Sequence, residues 1–234
     1  MNRQEEDGGN GIGTLKETSL HAALKEHYAR AGDRLEVPVE GYLIDIDRGT
    51  ELIEIQTGNF SALKPKLEIL LDDYQLRIVH PIARERWIRR LSLDGEVLAR
   101  RKSPKRGRVE EIFNELVYIH RFLRHPNLTL EVIMVQEEVS WRDDGRGSWR
   151  RKGWSVYDRR LLSVIDSIAF NTPEEFVALL PKDLEDPFTN RDLATAAGLR
   201  MRLAQKMTYC LRSSGLLEQV GNRGRSYLYR LPAR

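Results

Sequence analysis

Between residues 18 and 82, the spacing of apolar residues switches repeatedly between helical and extended periods, and these switches restrict the fold more than any other feature. Apolar side chains three and four positions apart predict a first helix, which ends at Gly32. Three runs with a two-residue period follow, then a second helical run with Pro65 near its start, then a fourth extended run. The predicted segments are 18–30, 34–40, 42–48, 51–57, 61–73 and 75–82. The predicted order is therefore α-β-β-β-α-β.

Polar side chains interrupt two of these predicted strands. Glu54 and Gln56 are two residues apart in an otherwise apolar run, so their side chains point to the same face. Asp45 lies near the middle of the preceding strand, and a short turn joins the two strands. Two carboxylates that converge in this way repel each other and lose hydration. A divalent cation such as Mg²⁺ removes that cost, because it prefers oxygen ligands.

This element order, with an aspartate on the second strand and Glu-x-Gln on the third, resembles the PD-(D/E)xK nuclease superfamily. That superfamily includes restriction endonucleases and archaeal Holliday-junction resolvases, and the resemblance covers residues 17–82. It implies a restriction-endonuclease-like α/β core in which Asp45 and Glu54 hold Mg²⁺ or Mn²⁺. Gln56 occupies the place of the usual lysine and would orient the attacking water.

Gln56 departs from the family pattern because a neutral amide supplies no positive charge. Lys64 or Lys66, early in the second helix, can supply that charge, and Lys64 is included among the predicted catalytic residues. An acidic residue on the first helix is also common in the family. Glu26 is the candidate for it here, with Glu40 as a rival. Two alternatives stay open: Asp45 and Asp47 are solvent-facing strand residues and Glu54 pairs with an arginine, or the nuclease-like fold has lost catalysis.

Residues 83–170 form a predicted basic α+β extension of this core. The dipeptide Asp94-Gly95 between two extended runs predicts a hairpin. A basic loop at 100–108 suits nucleic-acid contact, although a solvated loop is nearly as good an interpretation. A helix is predicted at 109–123 and a strand at 128–141.

The last 64 residues, 171–234, resemble a winged helix-turn-helix domain. Three predicted helices end in a two-stranded ribbon, and Thr189 with Asp192 forms a capping-box-like pair. In this plan the second helix of the pair enters the major groove of DNA. The predicted DNA-binding residues lie on that helix and on the ribbon turn: Arg200, Arg202, Gln205, Lys206, Arg223 and Arg225. A winged helix used for protein contacts is the alternative.

Charge is divided unevenly along the chain. Residues 1–83 have a net charge of −6, and residues 188–234 have a net charge of +7. A basic module behind an acidic one favours a polyanion partner, and double-stranded DNA is the partner that we expect. Residues 1–16 are polar and glycine-rich, and we interpret them as a disordered tail. No apolar run approaches a membrane span, and the single cysteine, Cys210, suits a reducing compartment, so we expect a cytoplasmic protein.

The sequence therefore predicts a DNA-binding protein with Mg²⁺-dependent endonuclease activity. A catalytically inactive nuclease-like fold that acts as a DNA-binding regulator is the first alternative. A protein-binding adaptor is the second. The oligomeric state is open, although nucleases that cut both strands are often homodimers.

Overall fold

A computed structural model describes residues 18–145, 147 and 153–232. The predicted disordered tail at 1–16 lies outside the described residues. The fold is mixed α/β, built on one large sheet with helices packed against it.

The first part of the described chain alternates a helix, three strands, a helix and a strand. Its elements are α1 (Ser19–Tyr28), β1 (Arg34–Val39), β2 (Tyr42–Asp47), β3 (Leu52–Ile55), α2 (Lys64–Leu70) and β4 (Leu76–Leu91). The side chain of Thr18 caps α1 by accepting a hydrogen bond from the backbone of His21. Strands β1, β2 and β3 are antiparallel, and β3 pairs with β4 in parallel. The connection through α2 lets β4 run in the same direction as β3.

The middle of the chain extends the same sheet. It contains β5 (Val97–Lys102), α3 (Phe113–Leu116), β6 (Leu128–Asp143) and β7 (Trp154–Phe170). The strand order is β1-β2-β3-β4-β6-β7, and β5 pairs with the far half of β4. The hairpin predicted at Asp94-Gly95 is confirmed, because Leu91 pairs with Val97 across it. The helix predicted at 109–123 is instead a 3₁₀ helix, the short α3 and a second 3₁₀ helix.

Strand β4 is longer than the sequence predicts and carries an irregularity. It continues without a break from Leu76 to Leu91, and its pairing with β6 shifts between Ala83 and Glu85. One extra residue, Arg84, therefore lies in β4 at this point, which is the geometry of a β-bulge. Before the bulge β4 pairs with β3, as far as Val79. Beyond the bulge it pairs with β5 instead, from Trp87 onward.

The C-terminal elements are α4 (Asn190–Ala196), α5 (Met201–Ser213), β8 (Glu218–Arg223) and β9 (Ser226–Arg230). The predicted capping box is confirmed, because Thr189 and Asp192 bond each other's backbone at the start of α4. Gly198 adopts a φ of +62° in the turn between α4 and α5, a conformation that favours glycine. Strands β8 and β9 form a separate two-stranded antiparallel ribbon. We call residues 188–232 the C-terminal module.

Two hydrophobic clusters hold the fold together. The smaller one lies between α1 and the sheet and includes Leu20, Leu24 and Ile53. The larger one includes α2 and α3 and continues without interruption into α4, α5 and Tyr229 of β9. The C-terminal module therefore shares a core with the sheet. None of the helices in the described part of the chain is long and apolar enough to cross a membrane.

Polar contacts reinforce this packing. Arg108 donates a hydrogen bond to the carbonyl oxygen of Ala197 at 2.6 Å, at the end of α4. Arg124 donates to the carbonyls of Ser214 and Gly215, at the end of α5. Cations stabilise helix C-termini, where carbonyl groups lack partners within the helix. These two arginines therefore attach the C-terminal module to the sheet domain.

Candidate functional site

The candidate site lies where strands β2 and β3 separate. Main-chain pairing between them covers Ile46 with Ile53 and Asp47 with Leu52. Further along, the backbone nitrogen of Ile55 donates to Oδ2 of Asp45 at 2.8 Å, so a side chain replaces the main-chain partner. On β1, the residue opposite Asp45 is Glu36, which has a φ of +52°. The Asp45 carboxylate is thus fixed beside β3 at a break in the sheet.

Glu54 lies next to this break and is buried. The ammonium nitrogen of Lys66, on α2, is 2.7 Å from Oε1 of Glu54 and also donates to the carbonyl of Leu43 at 3.0 Å. The second oxygen, Oε2, is buried and has no hydrogen-bond partner within the described residues. Burial raises the pKa of Glu54 above its ordinary value, the Lys66 ammonium opposes that rise, and the nearby Asp45 carboxylate adds to it. An orphaned carboxylate oxygen of this kind is costly and calls for an explanation.

A histidine on α1 completes the cluster. Nε2 of His21 lies 3.2 Å from Oδ2 of Asp45. The acidic residues considered from the sequence, Glu26 and Glu40, are both exposed and make no hydrogen bond to Asp45 or Glu54 within the described residues, and Glu40 accepts a hydrogen bond from Tyr74. Sequence reasoning missed His21. The available signal was its position beside Leu20 and one turn before Leu24, on the side of α1 that packs on the sheet.

Gln56 is held by the loop that follows it. Its amide nitrogen donates to the carbonyls of Gly58 and Asn59, the latter at 3.3 Å. Its backbone carbonyl lies 2.7 Å from Nδ1 of His80, whose pKa is lowered by burial. The side-chain nitrogen of Gln56 is therefore engaged in shaping the turn between β3 and α2.

The structure distinguishes between the two lysines named from the sequence. Lys66 contacts Glu54, as described above. Lys64 is half-buried at the start of α2, and its side chain makes no hydrogen bond or ion pair in the part of the chain that the structure describes. The positive charge beside the carboxylates therefore comes from Lys66.

The carboxylate oxygens of Asp45 and Glu54 fit a hard divalent cation. They would fill only part of its coordination shell, and water and substrate would supply the remaining ligands. Asp45 and Glu54 supply carboxylate oxygens, and Oε2 of Glu54 has no other partner among the described residues. Across residues 18–145, 147 and 153–232, no three His, Cys, Asp or Glu side chains are grouped so that they could hold a metal ion. Mg²⁺ commonly takes only one or two carboxylates and completes its shell with water and substrate phosphate. Asp45 and Glu54 are the residues that would hold it.

The predicted DNA-binding residues fall into two groups. Arg200, Arg202 and Gln205 are exposed at the start of α5, and Arg225 is exposed in the turn between β8 and β9. Two others have partners within the protein. Lys206 donates to the side chain of Asn114 at 3.0 Å, and Arg223 lies 3.0 Å from Asp192.

A cavity of about 680 Å³ lies elsewhere, in and beside the C-terminal module. Its walls are largely apolar and include Val177, Leu180, Phe188 and Leu216. None of the candidate catalytic or DNA-binding residues lines it. The cavity is therefore separate from the carboxylate cluster.

Comparison with known proteins gives a family. A domain family described as Domain of unknown function (DUF8091) matches residues 18–171. A protein of Treponema pallidum (strain Nichols), described as an uncharacterized protein, is 36% identical over 222 residues, which are 94% of this chain and 87% of that protein. No solved structure matches this chain. The family match spans α1 to the end of β7, the part of the chain that holds the carboxylate cluster, and the chain belongs to the DUF8091 family.

Proposed function

We propose that this protein hydrolyses phosphodiester bonds in DNA, with Mg²⁺ or Mn²⁺ bound by Asp45 and Glu54. One observation carries the proposal. The Glu54 carboxylate is buried, it has the Asp45 carboxylate as a neighbour, and its Oε2 atom has no partner within the described residues. Burying such an atom without a partner costs about 1–3 kcal/mol. A bound cation would remove that cost, and it would also relieve the repulsion between the two carboxylates.

The residues around this pair have separable roles in the proposal. A bound divalent cation would lower the pKa of a water molecule and stabilise negative charge on the phosphate. Lys66 offsets the charge of Glu54 and brings an ammonium group to the position where charge develops on the substrate. His21 positions Asp45. We assign Gln56 to the shape of the β3–α2 turn instead of to the reacting water, because its amide nitrogen is bound by that turn.

The C-terminal module would supply affinity for double-stranded DNA. We propose that it acts as a winged helix, with the start of α5 in the major groove and the β8–β9 turn on the backbone. Arg200, Arg202 and Gln205 are exposed at that end of α5, which supports base or phosphate contacts. Lys206 is not part of this proposed surface because it is bound to Asn114.

A cleavage assay tests the catalytic proposal. Supercoiled, linear and branched DNA would be incubated with Mn²⁺ or Mg²⁺ and the parent protein, Glu54→Gln, Lys66→Met and two matched controls. The controls are Glu68→Gln, an exposed glutamate on the same helix as Lys66, and Lys64→Met. We expect Glu54→Gln and Lys66→Met each to lose at least about 100-fold in rate, as is typical when a charged group that stabilises the transition state is removed. The controls should stay near the parent rate.

A second candidate is a DNA-binding regulator without catalysis. The engagement of Gln56 with the turn favours it, as does the ion pair in which Lys66 already neutralises Glu54. DNA binding by the parent with no cleavage of any substrate would support this candidate and reject the nuclease. Absence of DNA binding would leave the adaptor function as the alternative.

A further inference from the structure

A second strongly basic region lies outside the C-terminal module. Residues 84–108 contain ten Arg and Lys against three Asp and Glu, a net charge of +7. They form the far half of β4, the turn at Asp94-Gly95, strand β5 and the loop that follows; we call them the basic arm. All six residues of β5 are exposed, and within the described residues β5 pairs only with β4. The arm is therefore an edge of the sheet that carries a high positive charge.

Ion pairs neutralise part of this charge, and three of the arm cations, Arg86, Lys105 and Arg108, pair with glutamates outside the arm. Glu85 lies 2.8 Å from Lys102 and 3.8 Å from Arg106. Glu138, on the neighbouring β6, lies 2.6 Å from Arg100 and 3.6 Å from Arg89. Each carboxylate thus holds two cations and neutralises one.

In these ion pairs the basic side chains are more exposed to solvent than the acidic ones. The side chains of Glu85 and Glu138 are 17% and 7% exposed, whereas those of Lys102, Arg106 and Arg100 are 47%, 66% and 49% exposed. The hydrogen bond from Lys102 lowers the pKa of Glu85, so this carboxylate is ionised at neutral pH. The less exposed acids hold the cations in place, and the cations themselves face solvent.

Aromatic rings also contact two of these paired cations and one further cation of the arm. Lys102 and Arg100 lie 4.8 and 5.4 Å from the ring centroid of Trp87. Arg90 lies 5.1 Å from the ring of Trp154 on β7. A guanidinium group stacked on a ring keeps its N–H groups available for phosphate oxygens. The side chain of Arg101, also exposed, has neither an ion pair nor a hydrogen bond within the described residues.

The arm and the carboxylate cluster lie on the same side of β4, because β3 and β5 pair with successive parts of that strand. After β5 the chain continues in the same direction along β4, where Ser103 donates to the carbonyl of Arg86 and Gly107 donates to the carbonyl of Ala83. Three residues before Ala83 on the same strand, His80 contacts the backbone of Gln56. The row of cations therefore leads along β4 toward the end of β3, beside Glu54.

We infer that the basic arm is a second nucleic-acid surface, which binds the phosphodiester backbone and guides it along β4 toward the Asp45–Glu54 site. This inference rests on the proposed nucleic-acid substrate. Charge complementarity selects the partner, because protein interfaces are depleted in charged residues at their centre, whereas nucleic-acid surfaces are enriched in Arg and Lys. Fixed cations at an exposed edge suit contacts to the backbone and not the reading of base sequence.

The test is the salt dependence of DNA binding, measured without catalysis. Arg90, Arg101 and Arg106 would be changed together to Ser in a Glu54→Gln background, with EDTA present. A control of equal charge change would carry Arg30→Ser, Arg121→Ser and Lys182→Ser, three exposed cations outside the arm and outside the C-terminal module. Binding of a labelled duplex would be followed by fluorescence anisotropy from 50 to 200 mM salt. Circular dichroism would establish that both variants are folded.

We expect the arm variant to bind more weakly by at least tenfold at the lowest salt. The slope of log K against log salt should shrink by about 2.7, since each phosphate contact contributes about 0.9. The control should keep the parent slope. An arm variant with the parent slope, a parent that does not bind DNA, or arm-dependent binding to anionic lipid vesicles but not to DNA would each overturn the inference. Arm-dependent binding by a parent that fails to cleave DNA would uphold the inference while rejecting the nuclease.

Discussion

The ammonium nitrogen of Lys66 lies 2.7 Å from one carboxylate oxygen of Glu54, and the other oxygen of that buried carboxylate has no partner within the described residues. The Lys66 ammonium group therefore contacts only one of the two oxygens of the Glu54 carboxylate. The negative charge of Asp45 lies close to the same carboxylate. This arrangement has consequences for stability that can be measured whether or not the protein is an enzyme.

The first prediction concerns pH. The pKa of Glu54 in the folded protein is raised above its ordinary value of 4.5, mainly by burial. Between pH 4.5 and the folded pKa, the folded state therefore holds more protons at Glu54 than the unfolded state does. The free energy of unfolding should fall as pH rises through this window, by at most about 1.4 kcal/mol per pH unit. Below pH 4.5 the full stabilising contribution of the raised pKa of Glu54 to the free energy of unfolding is present.

Urea unfolding of the metal-free protein from pH 4 to 8 checks this. The parent would be compared with Glu54→Gln, which cannot ionise, and with Glu68→Gln as an exposed control on α2. The stability of the parent minus that of Glu54→Gln should decrease with pH and then level off. A difference that is constant or rises with pH would contradict the raised pKa.

The second prediction concerns divalent cations. Mn²⁺ or Mg²⁺ bound at Asp45 and Glu54 should stabilise the folded protein, by about 2.7 kcal/mol at a concentration 100-fold above Kd. The effect should be larger at pH 8 than at pH 5, because a protonated Glu54 is a poor ligand. Thermal denaturation with and without metal measures it. Glu68→Gln should keep the increase in Tm and Glu54→Gln should lose it; equal increases in both would place the metal elsewhere.

The third prediction concerns the loop after β5, residues 103–108, which passes close to the backbone of β4. A Cβ atom at Gly107 would lie 2.8 Å from Cγ2 of Ile82 and would collide with the backbone carbonyl of Ala83. Gly107→Ala should therefore lower the free energy of unfolding by about 1–3 kcal/mol, the usual cost of overpacking. Gly58→Ala is the matched control, because a Cβ there meets nothing within 4 Å. Equal stability of the two variants in urea would show that the loop can move away.

The fourth prediction concerns the attachment of the C-terminal module. Arg124→Met removes the guanidinium group that binds the carbonyls of Ser214 and Gly215 at the end of α5. Hydrogen bonds from charged groups contribute about 1.5–3 kcal/mol, so a loss of that size is expected in urea unfolding. Arg212→Met is the control, since Arg212 is exposed on the same helix and its side chain has no partner among the described residues. Unchanged stability of Arg124→Met would mean that apolar packing alone holds the module.

Local patterns in the sequence predict much of this fold, because local chemistry decides those elements. The turn at Asp94-Gly95 and the cap formed by Thr189 and Asp192 both have short-range causes, and both are confirmed. The segment 109–123 is a different case. Ile112, Leu116, Ile119 and Leu123 are buried as their spacing predicts, yet only Phe113–Leu116 are α-helical, between two short 3₁₀ helices. Periodicity indicates which side chains are buried, and tertiary packing then selects the hydrogen-bond pattern.

The candidate site is less accessible to sequence reasoning. Spacing brings Asp45 and Glu54 together because they lie on strands joined by a short turn. It does not choose between Lys64 and Lys66, since the answer depends on how α2 lies against the sheet. Nor does it select His21, whose contact with Asp45 depends on the packing of α1. Both contacts join elements whose relative orientation is set by the whole core.

Arg108 links the basic arm directly to the C-terminal module. It is the last residue of the arm, and its guanidinium group binds the carbonyl of Ala197 at the end of α4. Two binding surfaces on a rigid body behave as a bivalent receptor, in which the second contact is made at a high effective concentration. Under the proposals above, affinity should depend on the length of the nucleic acid. An oligonucleotide too short to span both surfaces would bind only one of them, and a longer one would gain the avidity of two.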